Sequence, residues 1–282
     1  MAFPTEDRQR NIGFLYSNLL LCLFYVQTRP RRPVVGLSLP HALCFHGTRL
    51  GNSQRDRVLK ALLLNANTSQ TVTDRLVATV LARCPPDVQI VGATAAFGAP
   101  YVSTRAAMTV AGHAALETVR AAVAREAQAG RPAFDVCHYA CFGEPGIAAL
   151  RAEMAFPVVG MAEASILTAL QLGERFSIVT AGADWPGMLR DLMRRTALEA
   201  RCAGIGVVAG DALALAGGDG GAAVRAAVEE VIARQSPDVV IIAGAALAGY
   251  APALAPLCAV PILDSLAASF EQALALGRLR RR

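Results

Sequence analysis

The sequence predicts an α/β protein with two pseudo-symmetric lobes, each a short parallel sheet flanked by helices, facing each other across a cleft. Three observations carry this reading. Of 282 residues, 54% are hydrophobic and only 17% charged, enough to fill a large core and too apolar for a disordered chain. From Val58 onward, short apolar runs alternate with Ala-rich stretches of helical length, the pattern of parallel strands covered by helices on both faces. The polar punctuation between the runs falls into two similar halves, each with one strand ending in a Gly-containing loop. Eight strand-helix units would also suit a closed barrel, but the roughly 225 residues available are few for one, and two lobes account for the repeated punctuation.

Strands are predicted at residues 58–64, 88–93, 134–140 and 157–160 in the first half, and at 175–180, 206–209, 239–243 and 260–263 in the second. Helices are predicted between them at 69–83, 105–127, 145–154, 162–172, 185–200, 222–234, 247–257 and 265–276. Ser69 or Thr68 caps the first helix, Pro145 opens the third in its first turn, and Asp184 caps the fifth. The first lobe then comprises residues 58–161 with 264–282, and the second 162–263. The GxGxxxG at residues 204–210 lacks the spacing of a dinucleotide fingerprint and reads as turns around a strand.

The net charge of +5 and its distribution exclude one class of partner. Residues 1–57 carry eight Arg against three acids, whereas residues 58–282 carry nineteen basic and nineteen acidic side chains. The excess belongs to the first segment, and the rest offers no basic face or nucleic-acid motif. Residues 1–57 show no periodicity beyond an apolar run at 12–26, which is too short to span a bilayer and lacks a cleavage signal. They are read as an extension outside the fold, poorly ordered or preceding a true start near Val58, with no membrane partner. A chain beginning at Val58 is therefore expected to fold alone, with a cooperative thermal melt as the check.

Lysine supplies a sharper exclusion: all basic residues but Lys60 are Arg. Lys60 lies at the head of a predicted strand, away from the strand ends that carry ligands, so pyridoxal chemistry and a phosphate-binding Walker loop are both excluded. The seven cysteines are scattered, with no CxxC pair, which argues against a disulfide framework or structural zinc and for a reducing, cytoplasmic setting.

Chemistry falls on the loops after the strands. Asn65, Asn67 and Thr68 form an amide-rich turn at a helix start, suited to a carboxylate or a ring imide and equally to ordinary capping. Cys141 follows the third strand, ahead of Phe142 and Gly143. A thiol at a helix N-terminus has its pKa lowered from ~8.5 toward neutrality, making Cys141 a base or nucleophile, while Cys137 inside the strand reads as core. Thr180 ends the fifth strand. Gly244, Ala245 and Ala246 end the seventh with no ionisable group, suited to close backbone approach.

The order of these motifs resembles the aspartate/glutamate/hydantoin racemase family. Residues 65–69 (Asn-Ala-Asn-Thr-Ser) resemble its opening Asn-Pro-Asn-Thr-Ser loop, and residues 140–146 (Ala-Cys-Phe-Gly-Glu-Pro-Gly) its first catalytic loop. Pro157-Val158-Val159-Gly160 with Glu163-Ala164, the segment 172–180, and Pro261-Ile262-Leu263-Asp264 follow in the family's order, so that the resemblance spans residues 58–276. It implies two lobes, no cofactor or metal, and α-proton transfer between two thiols on opposite faces of a small-molecule substrate. Cys141 matches the first thiol. The second departs: where two-thiol members carry Gly-Cys, this chain has Gly244-Ala245. Tyr101, His138 and Asp264 are the candidates to replace it, and the sequence does not choose among them.

The expected function is thus cofactor-independent racemisation of an amino acid, hydantoin or related small carboxylate with Cys141 as thiolate base. Asn65, Asn67 and Thr68 would hold a carboxylate or imide oxygen, the N–H groups of Phe142 and Gly143 the enolate, and Thr180 with residues 244–246 the second wall. A single-cysteine isomerase or decarboxylase, or a binding protein without chemistry, are the alternatives. A symmetric homo-oligomer is the default assembly.

Overall fold

The computed structural model describes residues 58–210, 215 and 220–280, which belong to one compact unit spanning residues 51–282. The apolar run at 12–26, Cys22 and Cys44 lie outside the described residues. β1 (Leu59–Asn65) is buried at every position, so it sits mid-sheet with both faces covered. It is flanked by β2 (Val88–Thr94) and β3 (Val136–Tyr139), and β4 (Val158–Gly160) completes a parallel sheet of order β2-β1-β3-β4. A second parallel sheet repeats that order as β6-β5-β7-β8, from β5 (Phe176–Ala181), β6 (Cys202–Val208), β7 (Val239–Ile242) and β8 (Ile262–Asp264). The α/β class with two small parallel sheets is the one the sequence predicted.

Alternation along the strands assigns each face. Leu59, Ala61 and Leu63 of β1 join Phe176 and Ile178 of β5 in one apolar layer shared by the two sheets. That layer also takes in α1 (Gln70–Leu81), α4 (Met161–Leu172), α5 (Trp185–Arg195) and α8 (Ser265–Arg280) through Leu76, Ile166, Leu189 and Phe270. Leu62 and Leu64 point the other way, against α2 (Arg105–Gln128) and α3 (Ile147–Glu153). Val179 and Ala181 face α6 (Gly221–Gln235) and the short α7 (Ala251–Leu254).

Four expected elements differ. The helix foreseen at 185–200 stops at Arg195, because Ala197 turns the chain at φ +58°, and a 3-10 turn at Glu199–Arg201 follows. The helix foreseen at 247–257 is broken into two 3-10 turns around α7, as Pro252 and Pro256 remove donors from so short a run. The third helix begins at Ile147, past Pro145 and a left-handed Gly146. The sixth strand starts at Cys202, so Cys202 lies on a strand rather than at a helix end. Gly204 and Gly206 lie inside that strand: a Cβ at either would fall 2.3 Å from the Gln235 side chain or 2.4 Å from that of Val231, so these glycines let α6 approach the sheet.

Lys60 is a structural residue. Its ammonium is bonded to the Glu126 carboxylate and to the Pro132 carbonyl (3.2 Å), at the end of β1 opposite the ligand-bearing loops. Arg131 Nε also donates to Glu126, at 2.7 Å. Hydrogen bonds from Arg131 and Lys60 hold the Glu126 carboxyl down from 4.5 to about 2. A depressed carboxyl contributes stability that is full above about 4.5 and is lost as the pH falls toward 2. Glu126→Gln is expected to melt below the wild type at pH 7, the gap closing from pH 4.5 down to 2 in calorimetry.

Candidate active site

The carboxyl ends of β1, β3, β5 and β7 converge on one cleft. Such ends are where open parallel sheets present loops to ligands. One wall carries Asn65 and Asn67 after β1, and Ala140, Cys141 and Phe142 after β3. The other carries Thr180 after β5, and Gly244 and Ala245 after β7. Tyr101, Val102 and Trp185 close the space between them.

The β1 loop is organised by its own amides. Asn65 Nδ2 donates to Asn67 Oδ1 (2.9 Å), the Ser69 carbonyl (3.2 Å) and Thr73 Oγ1 (3.0 Å), while Asn65 Oδ1 accepts the Asn67 N–H at 3.2 Å. Although Asn65 lines the cleft, its amide is spent on the loop. Asn67 Oδ1 also accepts the Ser69 N–H at 2.9 Å, and among the described residues no protein acceptor engages its Nδ2. Ser69 is the helix cap, accepting from Val72 N–H at 3.3 Å. Thr68 does not line the cleft, and its backbone N–H is taken by the Ala99 carbonyl at 3.1 Å.

The β3 loop presents the thiol. Cys141 keeps part of its surface on the cleft, and the nearby N–H groups of Gly143 and Glu144, the latter donating to the Cys141 carbonyl at 3.0 Å, favour its thiolate. Burial outweighs them and pushes the thiol from 9.0 up to about 11. The lowered pKa expected from the sequence is therefore not found, because α3 starts six residues later and the site is walled by apolar groups. Gly143 does not line the cleft: its N–H serves the sulfur in place of the enolate role expected of it.

Glu144 fixes this loop. It holds φ at +51°, a left-handed conformation costing about 1–3 kcal/mol in a residue with a Cβ. Its Oε1 accepts the Glu163 N–H at 2.8 Å, at the start of α4, and Tyr139 Oη donates to the next carbonyl, that of Pro145, at 2.9 Å. Burial raises the Glu144 carboxyl to about 7.

Trp185 gave no signal in the sequence reading beyond a helix start. Its indole lies between the loops after β3 and β5: a Cβ at Gly143 would come within 2.9 Å of its Cη2, and one at Gly182 within 3.0 Å of its Cδ1. Trp185 is 5% exposed, and its Nε1–H has no hydrogen-bond partner among the described residues. Asp184, ahead of it, occupies the cap position without a side-chain capping bond.

On the far wall Gly244 turns the chain at φ +93°, a conformation that favours glycine, and its N–H donates to Ser265 Oγ at 3.1 Å. Arg75, from α1, reaches across and donates through Nη2 to the carbonyls of Ala245 (2.8 Å) and Ala246 (3.3 Å). Ala246 is thereby part of the loop's anchorage and does not line the cleft. Among the described residues no three His, Cys, Asp or Glu side chains come close enough to share a metal ion.

Residues 62–273 match the family model described as Asp/Glu/Hydantoin racemase. The chain belongs to this racemase family. A hydantoin racemase of Pseudomonas sp. (strain NS671) is 26% identical over 218 residues, which cover 76% of this chain and 84% of that protein. The crystal structure of the allantoin racemase of Pseudomonas fluorescens superposes with a TM-score of 0.71 at 26% identity, covering 79% of this chain and 92% of that one. A variant of arylmalonate decarboxylase, at 18% identity, covers 78% of this chain and 92% of that one with a TM-score of 0.59, and shares the fold. The family match and the two racemases identify the chain as a racemase, an isomerase by class.

For a racemase, the state of the thiol is the first quantity to measure. With a pKa near 11, only on the order of 10⁻⁴ of Cys141 is thiolate at pH 7. Alkylation of Cys141 by iodoacetamide, followed by peptide mass spectrometry, is expected to accelerate about tenfold per pH unit from 7 to 10. A rate that levels off below pH 8 would contradict this.

Proposed function

We propose that this racemase acts on a 5-monosubstituted hydantoin or a closely similar ring imide, with Cys141 as the thiolate base. The carrying observation is the cleft's lining, which among the described residues joins a single thiol to donors and apolar side chains and contains no Arg, Lys or His. A free amino acid or dicarboxylate would bring a carboxylate into this space with no cation among these described residues to meet it, a costly burial. A neutral imide ring brings carbonyl oxygens, which the Asn67 Nδ2–H on the cleft wall suits. Phe142, Val102 and the indole of Trp185 offer apolar surface to the 5-substituent.

The chemistry follows from these groups. The Cys141 thiolate takes the C5 proton, forming S–H as C5–H breaks, and the electron pair moves into the adjacent carbonyl. The resulting enolate is held by hydrogen bonds that strengthen as charge develops on oxygen. Protonation on the opposite face gives the other enantiomer. A thiol that is weakly acidic in the resting cleft yields a strongly basic thiolate, which matches the task of removing a carbon-bound proton. The Thr180 hydroxyl and the Gly244-Ala245 backbone bound the substrate on the second wall. All five described cysteines are free thiols, in keeping with a reducing, cytoplasmic location, and we assign a homo-oligomer as the working assembly.

The test is α-proton exchange in deuterated buffer, followed by NMR together with optical rotation, over enantiopure 5-substituted hydantoins, allantoin and free amino acids. Hydantoins should exchange and racemise, and free amino acids should not. Cys141→Ala is expected to lower racemisation by at least about 10²-fold. Full retention of activity in that variant would remove Cys141 from the mechanism, and turnover of amino acids alone would overturn the choice of substrate.

A further inference from the structure

Racemisation needs a proton delivered to the face opposite the one from which the first was taken, and Cys141 supplies one face. Of the described side chains lining the cleft, only Cys141 and Tyr101 can hand over a proton between neutral and alkaline pH. His138 and Asp264 are elsewhere. His138 is fully buried, its Nε2 paired with Ser269 Oγ at 2.7 Å, and the Asp264 carboxylate accepts the N–H groups of Gly249 (2.7 Å) and Ala267 (3.1 Å).

We infer that Tyr101 is the second proton carrier of this racemase, delivering and removing the proton on the face opposite Cys141. Its position carries the inference. Tyr101 belongs to the connection between β2 and α2, in the same half of the chain as Cys141, yet its ring packs on the apolar cluster of the second sheet. Its hydroxyl donates to the Ala181 carbonyl, at the end of β5, at 3.1 Å. β5 and β7 run side by side in parallel register, Val179 beside Ile242, and both end at the cleft's far wall, where Thr180, Gly244 and Ala245 line it. The hydroxyl is therefore held at the wall that also carries Ala245, whose side chain is a methyl group with no proton to give. Cys141 stands at the end of the other sheet, with the cleft between them.

The step balances within the pair. As the Cys141 thiolate takes the C5 proton, the enolate carbon takes the proton of the Tyr101 hydroxyl, leaving a thiol and a phenolate. The opposite enantiomer is converted by the reverse transfers, and solvent resets the pair between turnovers. Rotation about the phenol C–O bond turns the hydroxyl proton away from the Ala181 carbonyl with the ring in place.

This inference rests on the hydantoin reading of the cleft, and the full chain can test the two separately. Tyr101→Phe keeps the ring and its packing. On 5-substituted hydantoins it is expected to racemise at least about 10²-fold more slowly, while Cys141-dependent deuterium exchange continues for one enantiomer with retention of configuration. Adding Ala245→Cys to Tyr101→Phe, which puts a thiol on the same wall, is expected to restore racemisation. Racemisation by Tyr101→Phe within about threefold of wild type, loss of exchange for both enantiomers, or a double variant as slow as the single one would each overturn the assignment of Tyr101. A wild-type enzyme that exchanges no hydantoin would overturn the substrate reading, and the inference with it.

Discussion

The apolar layer shared by the two sheets is the constraint on which the rest of this protein depends. Residues from β1 and β5 meet helices α1, α4, α5 and α8 in one continuous packing, so neither sheet can shift without opening voids in the other's core. That layer fixes the spacing between two rows of strand ends, and hence between the thiol on one and the loop of Gly244 and Ala245 on the other. Chemistry at a carbon atom tolerates little error in such a distance. A cleft bounded by loops alone would not hold it. Here the loops are short and their geometry is dictated by strands that are buried on both faces.

Much of this was legible in the sequence, for identifiable reasons. Buried parallel strands leave continuous aliphatic runs, and the residues at their carboxyl ends follow by counting, which is why Cys141, Asn67, Thr180 and Gly244 could be named beforehand. What was not legible depends on contacts distant in sequence. Tyr101 could be named only as one of three candidates, since nothing local says that the connection between β2 and α2 leans on the second sheet. Trp185 looked like the start of a helix because the glycines that make room for its ring lie at positions 143 and 182. The pKa of Cys141 was misjudged in direction, since a local motif announces nearby N–H groups but not how much protein surrounds them, and burial is the larger effect.

The electrostatic character of the cleft follows from the same economy of charge. The one lysine is committed to Glu126 at the opposite end of β1, and the guanidinium nearest the far wall, that of Arg75, is directed at backbone carbonyls. In the proposed reaction, negative charge on the substrate is met by N–H groups and not by a cation of the described lining. Such dipoles need no counter-ion and reorganise little when charge appears on a substrate, which favours a reaction whose charge exists only fleetingly.

The attachment of Arg75 to the carbonyls of Ala245 and Ala246 has an evolutionary reading. Because the loop after β7 is anchored through its main chain, its shape is indifferent to the side chain at position 245. A methyl group, a hydroxyl or a thiol can be exchanged there without disturbing the hydrogen bonds that hold the loop. A scaffold of this kind can lose or regain a reactive group in a single substitution while it stays folded, so that new chemistries are reached from one another without passing through an unstable intermediate sequence.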